Sequence, residues 1–166
     1  KYMLENSSSP LLFTCKNVKN ITFANQCYID EEDFGKYSNQ NHDITYHSED
    51  LFSVIYTSGS TGTPKGVMLK RKGVMNLLRN HQLKMHTNEC KNFISISTIA
   101  FDMFMVETFV PLLSGKTLIL TNEEEQKIPM IMAKVIEKYH IDFILTTPSR
   151  IDLLCTNPIT EKCLKN

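Results

Sequence analysis

LFSVIYTSGSTGTPKGV, residues 51–67, decides the fold: an apolar, β-branched and aromatic run leads straight into a loop of glycines and hydroxyls. A short apolar run bounded by glycine reads as a buried strand. Residues 56–67 then hold three glycines, five Ser/Thr hydroxyls, one proline and one lysine. Gly59, Gly62 and Gly66 permit positive φ angles, so backbone N–H groups can turn toward one point. Thr57, Ser58, Ser60, Thr61 and Thr63 add hydroxyl donors and Lys65 adds a movable positive charge, a set suited to anionic oxygens. The common nucleoside-triphosphate spelling G-x-x-x-x-G-K-[ST] is not met, because Pro64 stands five residues after Gly59. A plain Ser/Gly linker fits poorly: linkers rarely follow a strand directly, precede an amphipathic helix and include Pro-Lys-Gly.

Working downstream, Val74, Leu77, Leu78, His81 and Met85 recur at helical spacing. NFISIST (92–98) alternates as a strand does, and DMFMVETFVPLLSG (102–115) reads as a helix closed by Gly115, with Pro111 expected to kink or shorten it. KTLILT (116–121) is a further strand. Ile128, Ile131, Met132, Val135, Ile136 and Tyr139 form an apolar helical stripe, and DFILTT (142–147) is a fourth strand. Strand and helix thus alternate four times, which predicts an α/β domain with a largely parallel sheet flanked by helices. Ligands of such sheets bind at the carboxyl ends of the strands, where the glycine loop and Asp102 both fall. Upstream, KYMLENS closes a helix, PLLFTC and NITFAN are strand candidates, and the acidic, polar stretch 28–50 reads as a surface loop.

Composition narrows the function classes. The 166 residues are 42% apolar and 22% charged, values of a globular chain, and eighteen acidic side chains balance eighteen basic ones. No basic field points to nucleic acid, and no apolar run reaches membrane-spanning length or makes a signal peptide. The five cysteines, Cys15, Cys27, Cys90, Cys155 and Cys163, are odd in number and never spaced C-x-x-C, which favours reduced, intracellular thiols over a disulfide or zinc scaffold. His42, His47, His81, His86 and His140 show no metal or nucleophile spacing, and no metal site is expected.

YTSGSTGTPKGV resembles the signature loop of the adenylate-forming (AMP-binding) superfamily, which includes acyl-CoA synthetases, luciferases and peptide-synthetase adenylation domains. FDMFMVETFVPLLSGKTLIL (101–120) resembles the adenylation-domain stretch that starts Phe-Asp and ends Pro-Leu-Leu-Ser-Gly before an apolar strand. YMLENSSSPLLFTC is similar to the segment ahead of the loop in amino-acid-activating domains. Two long motifs in this order form a specific signal and cover nearly the whole chain, 28–48 matching least.

The resemblance implies part of the large N-terminal core of an adenylation domain from a nonribosomal peptide synthetase, 1–166 being cut at both ends. It implies a reaction in which an amino-acid carboxylate attacks the α-phosphorus of ATP, pyrophosphate leaves, and the acyl group later passes to phosphopantetheine on a carrier-protein domain. On this reading residues 57–63 and Lys65 cradle the departing phosphates, with Lys65 and Thr57 in the catalytic role; alternatively Lys65 folds back and braces the loop. Asp102 would pair with the substrate's α-ammonium, although an aspartate at a strand-to-helix junction is also a good helix N-cap. Met103, Val106 and Leu145 fall where relatives line the side-chain pocket, hinting at an apolar substrate; equally, Met103 and Val106 could be core.

Phe104 stands where a small residue is usual, Arg71 where histidine is common, and Val106 where an aromatic is frequent. The expected magnesium-binding glutamate, adenine-stacking region, ribose-binding aspartate and C-terminal catalytic lysine belong beyond Asn166, so Mg2+ ligands are expected mostly elsewhere and the isolated segment is expected to be inactive. The location implied is cytoplasmic. Two other readings stay open: an acyl-CoA or aryl-acid ligase, which would not need an ammonium-binding carboxylate, and a non-catalytic α/β module that binds nucleotide or phosphate.

Overall fold

The computed structural model describes residues 2–59, 62–84 and 87–165. The chain divides into two compact units, 1–70 and 71–166.

In the first unit α1 (Tyr2–Asn6) precedes β1 (Leu12–Thr14), which pairs in parallel with β2 (Gln26–Tyr28). Of the two upstream strand candidates, PLLFTC contains β1, whereas NITFAN forms no strand; the pairing falls on the next three residues, Gln26 to Tyr28. Residues 29–50 are largely exposed and carry only a 3-10 turn at Phe34–Lys36, where the Asp33 carboxylate accepts from the Gly35 N–H at 3.0 Å. β3 (Leu51–Thr57) then pairs antiparallel with β4 (Lys65–Lys70), with an irregularity between Leu51 and Ser53.

This hairpin corrects two sequence expectations. LFSVIYT joins no parallel sheet, and the glycine loop leads not into a helix but into a second strand. KGVMLK (65–70) shows no alternation and is exposed except at part-buried Leu69, yet the register Thr57↔Lys65 and Tyr56↔Gly66 folds it back on β3. β3 is half-buried rather than buried, with exposed ends. The Tyr56 hydroxyl donates to the Met3 carbonyl at 3.1 Å and lies 2.8 Å from Asn6 Oδ1, tying α1 to the hairpin.

The second unit holds the parallel sheet, in the order β6-β5-β7. α2 (Arg71–Lys84) buries Val74 and Leu78, leaves Leu77 exposed and half-buries His81; Met85 and His86 lie outside the described residues. β5 (Asn92–Ser95) is the central strand, and Phe93, Ile94 and Ser95 are all buried, so both faces of the strand are covered despite its alternating sequence. α3 (Asp102–Leu113) leads to β6 (Thr117–Leu120), and α4 (Glu123–Lys127) and α5 (Pro129–Tyr139) lead to β7 (Phe143–Ile144). α6 (Pro148–Cys155) and α7 (Pro158–Lys165) follow. The fold is α/β with a parallel sheet and flanking helices.

Pro111 lies inside α3, which runs on to Leu113. It sits in the last turn, and the helix closes behind it: Gly115 takes φ +64°, its N–H bonds to Leu112 O at 3.2 Å, and Lys116 N–H bonds to Pro111 O at 2.9 Å. The apolar stripe of α5 delivers Met132, Val135 and Ile136 to a core shared with Ile94, Ile96 and Leu154. Each such side chain stabilises the fold by about 1.5–3 kcal/mol on burial. Phe93 and Phe143 stack across β5 and β7 with centroids 4.8 Å apart. All five cysteines are free, and no helix among the described residues is long and apolar enough to cross a membrane.

Candidate functional site

The first candidate is the loop of the β3–β4 hairpin. Gly62 donates its N–H to Gly59 O at 2.9 Å and takes φ +80°, the left-handed conformation glycine adopts without strain. Gly59 is required for a different reason. A Cβ there would lie 2.1 Å from the Thr63 carbonyl oxygen, so the two sides of the loop touch backbone to backbone. Lys65 Cε would lie 3.4 Å from the same Cβ, so the lysine stem runs back along the loop. Thr57 and Lys65 face each other as the last register pair before the loop, and Ser58 and Thr63 lie within it. Ser60 and Thr61 lie outside the described residues.

The second candidate is a cleft of about 510 Å³ in the second unit, at the carboxyl ends of β5 and β7. Ile96, Ser97 and Thr98, beyond the end of β5, line it together with Asp102 and Met103 of α3, Lys127 of α4 and Arg150 of α6. The connection after β5 runs to one neighbour and the chain returns on its other side as β7, the arrangement that opens a crevice in a parallel sheet. Asp102 is exposed and is the first residue of α3, yet it is not the cap: Phe101 holds the N-cap position without a side-chain hydrogen bond. A turn at Thr98, whose Oγ1 accepts the Ala100 N–H at 3.0 Å, brings the chain into the helix. Met103 shares the cleft with Asp102. Val106 is buried on the packed face of α3, and Leu145 is part-buried; neither lines this cleft.

The cleft is therefore of mixed polarity. Lys127 pairs with Glu123 at 2.7 Å, and the lysine's hydrogen bond holds the Glu123 carboxyl below the usual value of 4.5. Arg150 donates to the Gln126 carbonyl, while its buried Nε has no acceptor among the described residues. Two hollows of about 530 and 810 Å³ in the first unit take no residue from the glycine loop. Among the described residues no group of three His, Cys, Asp or Glu side chains could hold a metal ion.

Sequence reasoning passed over Glu107. Only 3% exposed, it accepts four hydrogen bonds at the end of β5: Ser95 Oγ (2.8 Å), Ile96 N (2.9 Å) and Ser97 N (2.9 Å) at Oε2, and Ser97 Oγ (2.6 Å) at Oε1. The available signal was a single charge within an otherwise apolar helix, since no other ionisable residue stands between Asp102 and Lys116.

Residues 1–165 match the family described as "AMP-binding enzyme". Gramicidin S synthase 2 of Brevibacillus brevis is 32% identical over 151 residues, which is 90% of this chain and 3% of that protein. The dimodular nonribosomal peptide synthase of Bacillus subtilis (strain 168) is 32% identical over 129 residues, 78% of this chain and 5% of that protein. The chain thus spans a few per cent of the length of these curated relatives. A nonribosomal peptide synthetase solved with α-methyl-L-serine-AMP bound shares the fold, with a TM-score of 0.81 at 23% identity over 93% of this chain and 18% of that one. With a family match over essentially its full length, the chain belongs to the AMP-binding enzymes.

Proposed function

We propose that this chain supplies the phosphate loop and the amino-acid ammonium site of an adenylation domain in a nonribosomal peptide synthetase. The reaction is attack of the amino-acid carboxylate on the α-phosphorus of ATP, giving aminoacyl-AMP and pyrophosphate. The observation that carries this reading is Asp102: an exposed carboxylate in the first turn of α3, facing a cleft, and not spent on capping the helix. A charge placed there can meet an ammonium group, and the relatives named as peptide synthases support that partner.

The residues of the hairpin loop fit a triphosphate. Gly59 lets the two sides of the loop meet backbone to backbone where a methyl group would collide, and Lys65 lies along the loop beside it. Positioned N–H and hydroxyl donors, with Lys65, would stabilise charge as it builds on the leaving pyrophosphate. Thr57, Ser58, Gly59, Gly62, Thr63 and Lys65 take this role, with Ser60 and Thr61 of the same motif. In the cleft Asp102 orients the nucleophile's amino group, and Met103 contacts its side chain. Mg2+ would accompany ATP, held mostly by groups outside these residues. A phosphopantetheine carrier domain would accept the acyl group, and the setting would be cytoplasmic.

The test is ATP–pyrophosphate exchange by the full-length protein over a panel of amino acids, aryl acids and fatty acids. Asp102→Ala should lower kcat/KM for the cognate amino acid by about a hundredfold, the scale of removing one partner of a desolvated ion pair. Unchanged exchange in that variant, or activation of acids without an amino group, would sink the ammonium assignment.

A further inference from the structure

Asp142 and Glu107 bracket the two ends of β5. At the start, the Asp142 carboxylate accepts the Lys91 N–H at 2.9 Å and the Asn92 N–H at 3.0 Å, on the exposed edge. At the other end, the sheet ladder stops at Ser95, whose carbonyl accepts the Thr121 N–H at 3.3 Å and the Thr121 hydroxyl at 2.7 Å. The next two N–H groups, of Ile96 and Ser97, have no strand partner and turn instead to Glu107. A buried acceptor with no cation beside it is costly unless donors surround it. Here two backbone N–H groups and two hydroxyls do so, which nearly fills the four acceptor sites of a carboxylate.

This clamp decides the geometry of the cleft. Ile96 and Ser97, which it holds, line the cleft, and Asp102 and Met103 line it from the same helix that carries Glu107. Asp102 lies five residues ahead of Glu107 on α3, about 7.5 Å along the axis. The rotation and height of α3 against the end of β5 therefore set where the Asp102 carboxylate sits. The neighbouring side chains on α3, Val106 and Thr108, are apolar or bonded within the helix: the Thr108 hydroxyl donates to Phe104 O at 2.6 Å.

The geometry points to Glu107 as a positioning residue for amino-acid binding: through its bonds to Ser95, Ile96 and Ser97 it holds the Asp102 carboxylate and the cleft wall in one arrangement. This rests on Asp102 being the ammonium ligand. Glu107 touches neither substrate nor phosphate, so its loss should appear in the amino-acid KM and leave the ATP KM alone.

The experiment is steady-state pyrophosphate exchange by the full-length protein, with amino acid and ATP varied separately, for Glu107→Ala, Glu107→Gln, Ser95→Ala and Asp102→Asn. A misplacement of about 1 Å costs on the order of a hundredfold. Glu107→Ala should therefore raise the amino-acid KM by about that factor, with the ATP KM within about threefold of wild type. Glu107→Gln keeps the shape and one acceptor oxygen for the two N–H groups, and should recover to within about tenfold. Ser95→Ala removes one donor away from the cleft and should shift the same constant by a few-fold, a readout available even where Glu107→Ala does not fold. If Asp102→Asn raises the amino-acid KM while neither Ser95→Ala nor a folded Glu107 variant does, the positioning role is wrong. A parallel rise of both KM values, or a glutamine variant no better than alanine, also overturns it. An Asp102→Asn variant with unchanged KM instead removes the ammonium assignment itself.

Discussion

Replacing Gly59 by alanine tests the hairpin loop directly. Its new methyl carbon would lie 2.1 Å from the Thr63 carbonyl oxygen, where ordinary contact begins near 3.4 Å. The obstacle is backbone, so no rotamer change relieves it. One side of the loop must retreat by more than an ångström, and the loop's donors, with Lys65, move with it. A displacement of about 1 Å in a group that stabilises developing charge costs on the order of a hundredfold, or about 2.7 kcal/mol at the barrier. Exchange by the full-length protein, with ATP varied at saturating amino acid, should show kcat/KM for ATP falling by about that factor. The amino-acid KM should stay within about threefold, because the perturbation lies in the loop's own unit. Gly62→Ala is the comparison: it meets open space at φ +80°, so only left-handed strain of about 1–2 kcal/mol applies. Wild-type ATP kinetics in Gly59→Ala, or an amino-acid KM that rises as steeply as the ATP KM, would refute the assignment of this loop to phosphate.

Two further outcomes test the second unit and the thiols. Met132 is completely buried in the core beneath the sheet, so Met132→Ala should destabilise the chain by roughly 2–5 kcal/mol, read from the urea midpoint; a change below about 1 kcal/mol would mean that this core is not packed as described. Burial, followed by carboxylate neighbours, pushes the Cys27, Cys90 and Cys163 thiols above the ordinary value of 9.0, Cys163 through its bond to Glu137. The folded chain thus favours the neutral thiol. That stabilisation is fully present below pH 9.0 and is lost as pH rises through the raised values, because the unfolded chain ionises first. Iodoacetamide at pH 8.5 should accordingly modify these three thiols more slowly in the folded chain than in urea, followed by mass spectrometry; equal rates would contradict the assigned environments.

Much of the second unit could be read from residue order alone. The apolar stripe of α5 has one periodicity and only one way to bury it, and Gly115 ends α3 because it enters the left-handed region without a Cβ penalty. The three parallel strands are short runs between such helices, so their existence and direction follow from the alternation. Asp102 was legible as a junction residue, but whether it caps the helix was not, because capping depends on a turn at Thr98 that places Phe101 in the cap position.

What sequence by itself determined here is local: helix faces, helix ends, and a loop whose glycines and hydroxyls suit phosphate. Tertiary structure alone decided which strands pair and which polar groups meet. Leu51–Thr57 could have joined the parallel sheet on hydrophobicity, yet its backbone hydrogen bonds are made with Lys65–Lys70, a run whose apolar residues did not announce a strand. Glu107 carries no spacing signal toward its donors, because Ser95, Ile96 and Ser97 lie ten to twelve residues upstream on another element. The physical reason is the same in both cases. Propensity and periodicity act between near neighbours, whereas strand pairing and the satisfaction of a buried carboxylate are settled by groups that only the folded chain brings within 3 Å of one another.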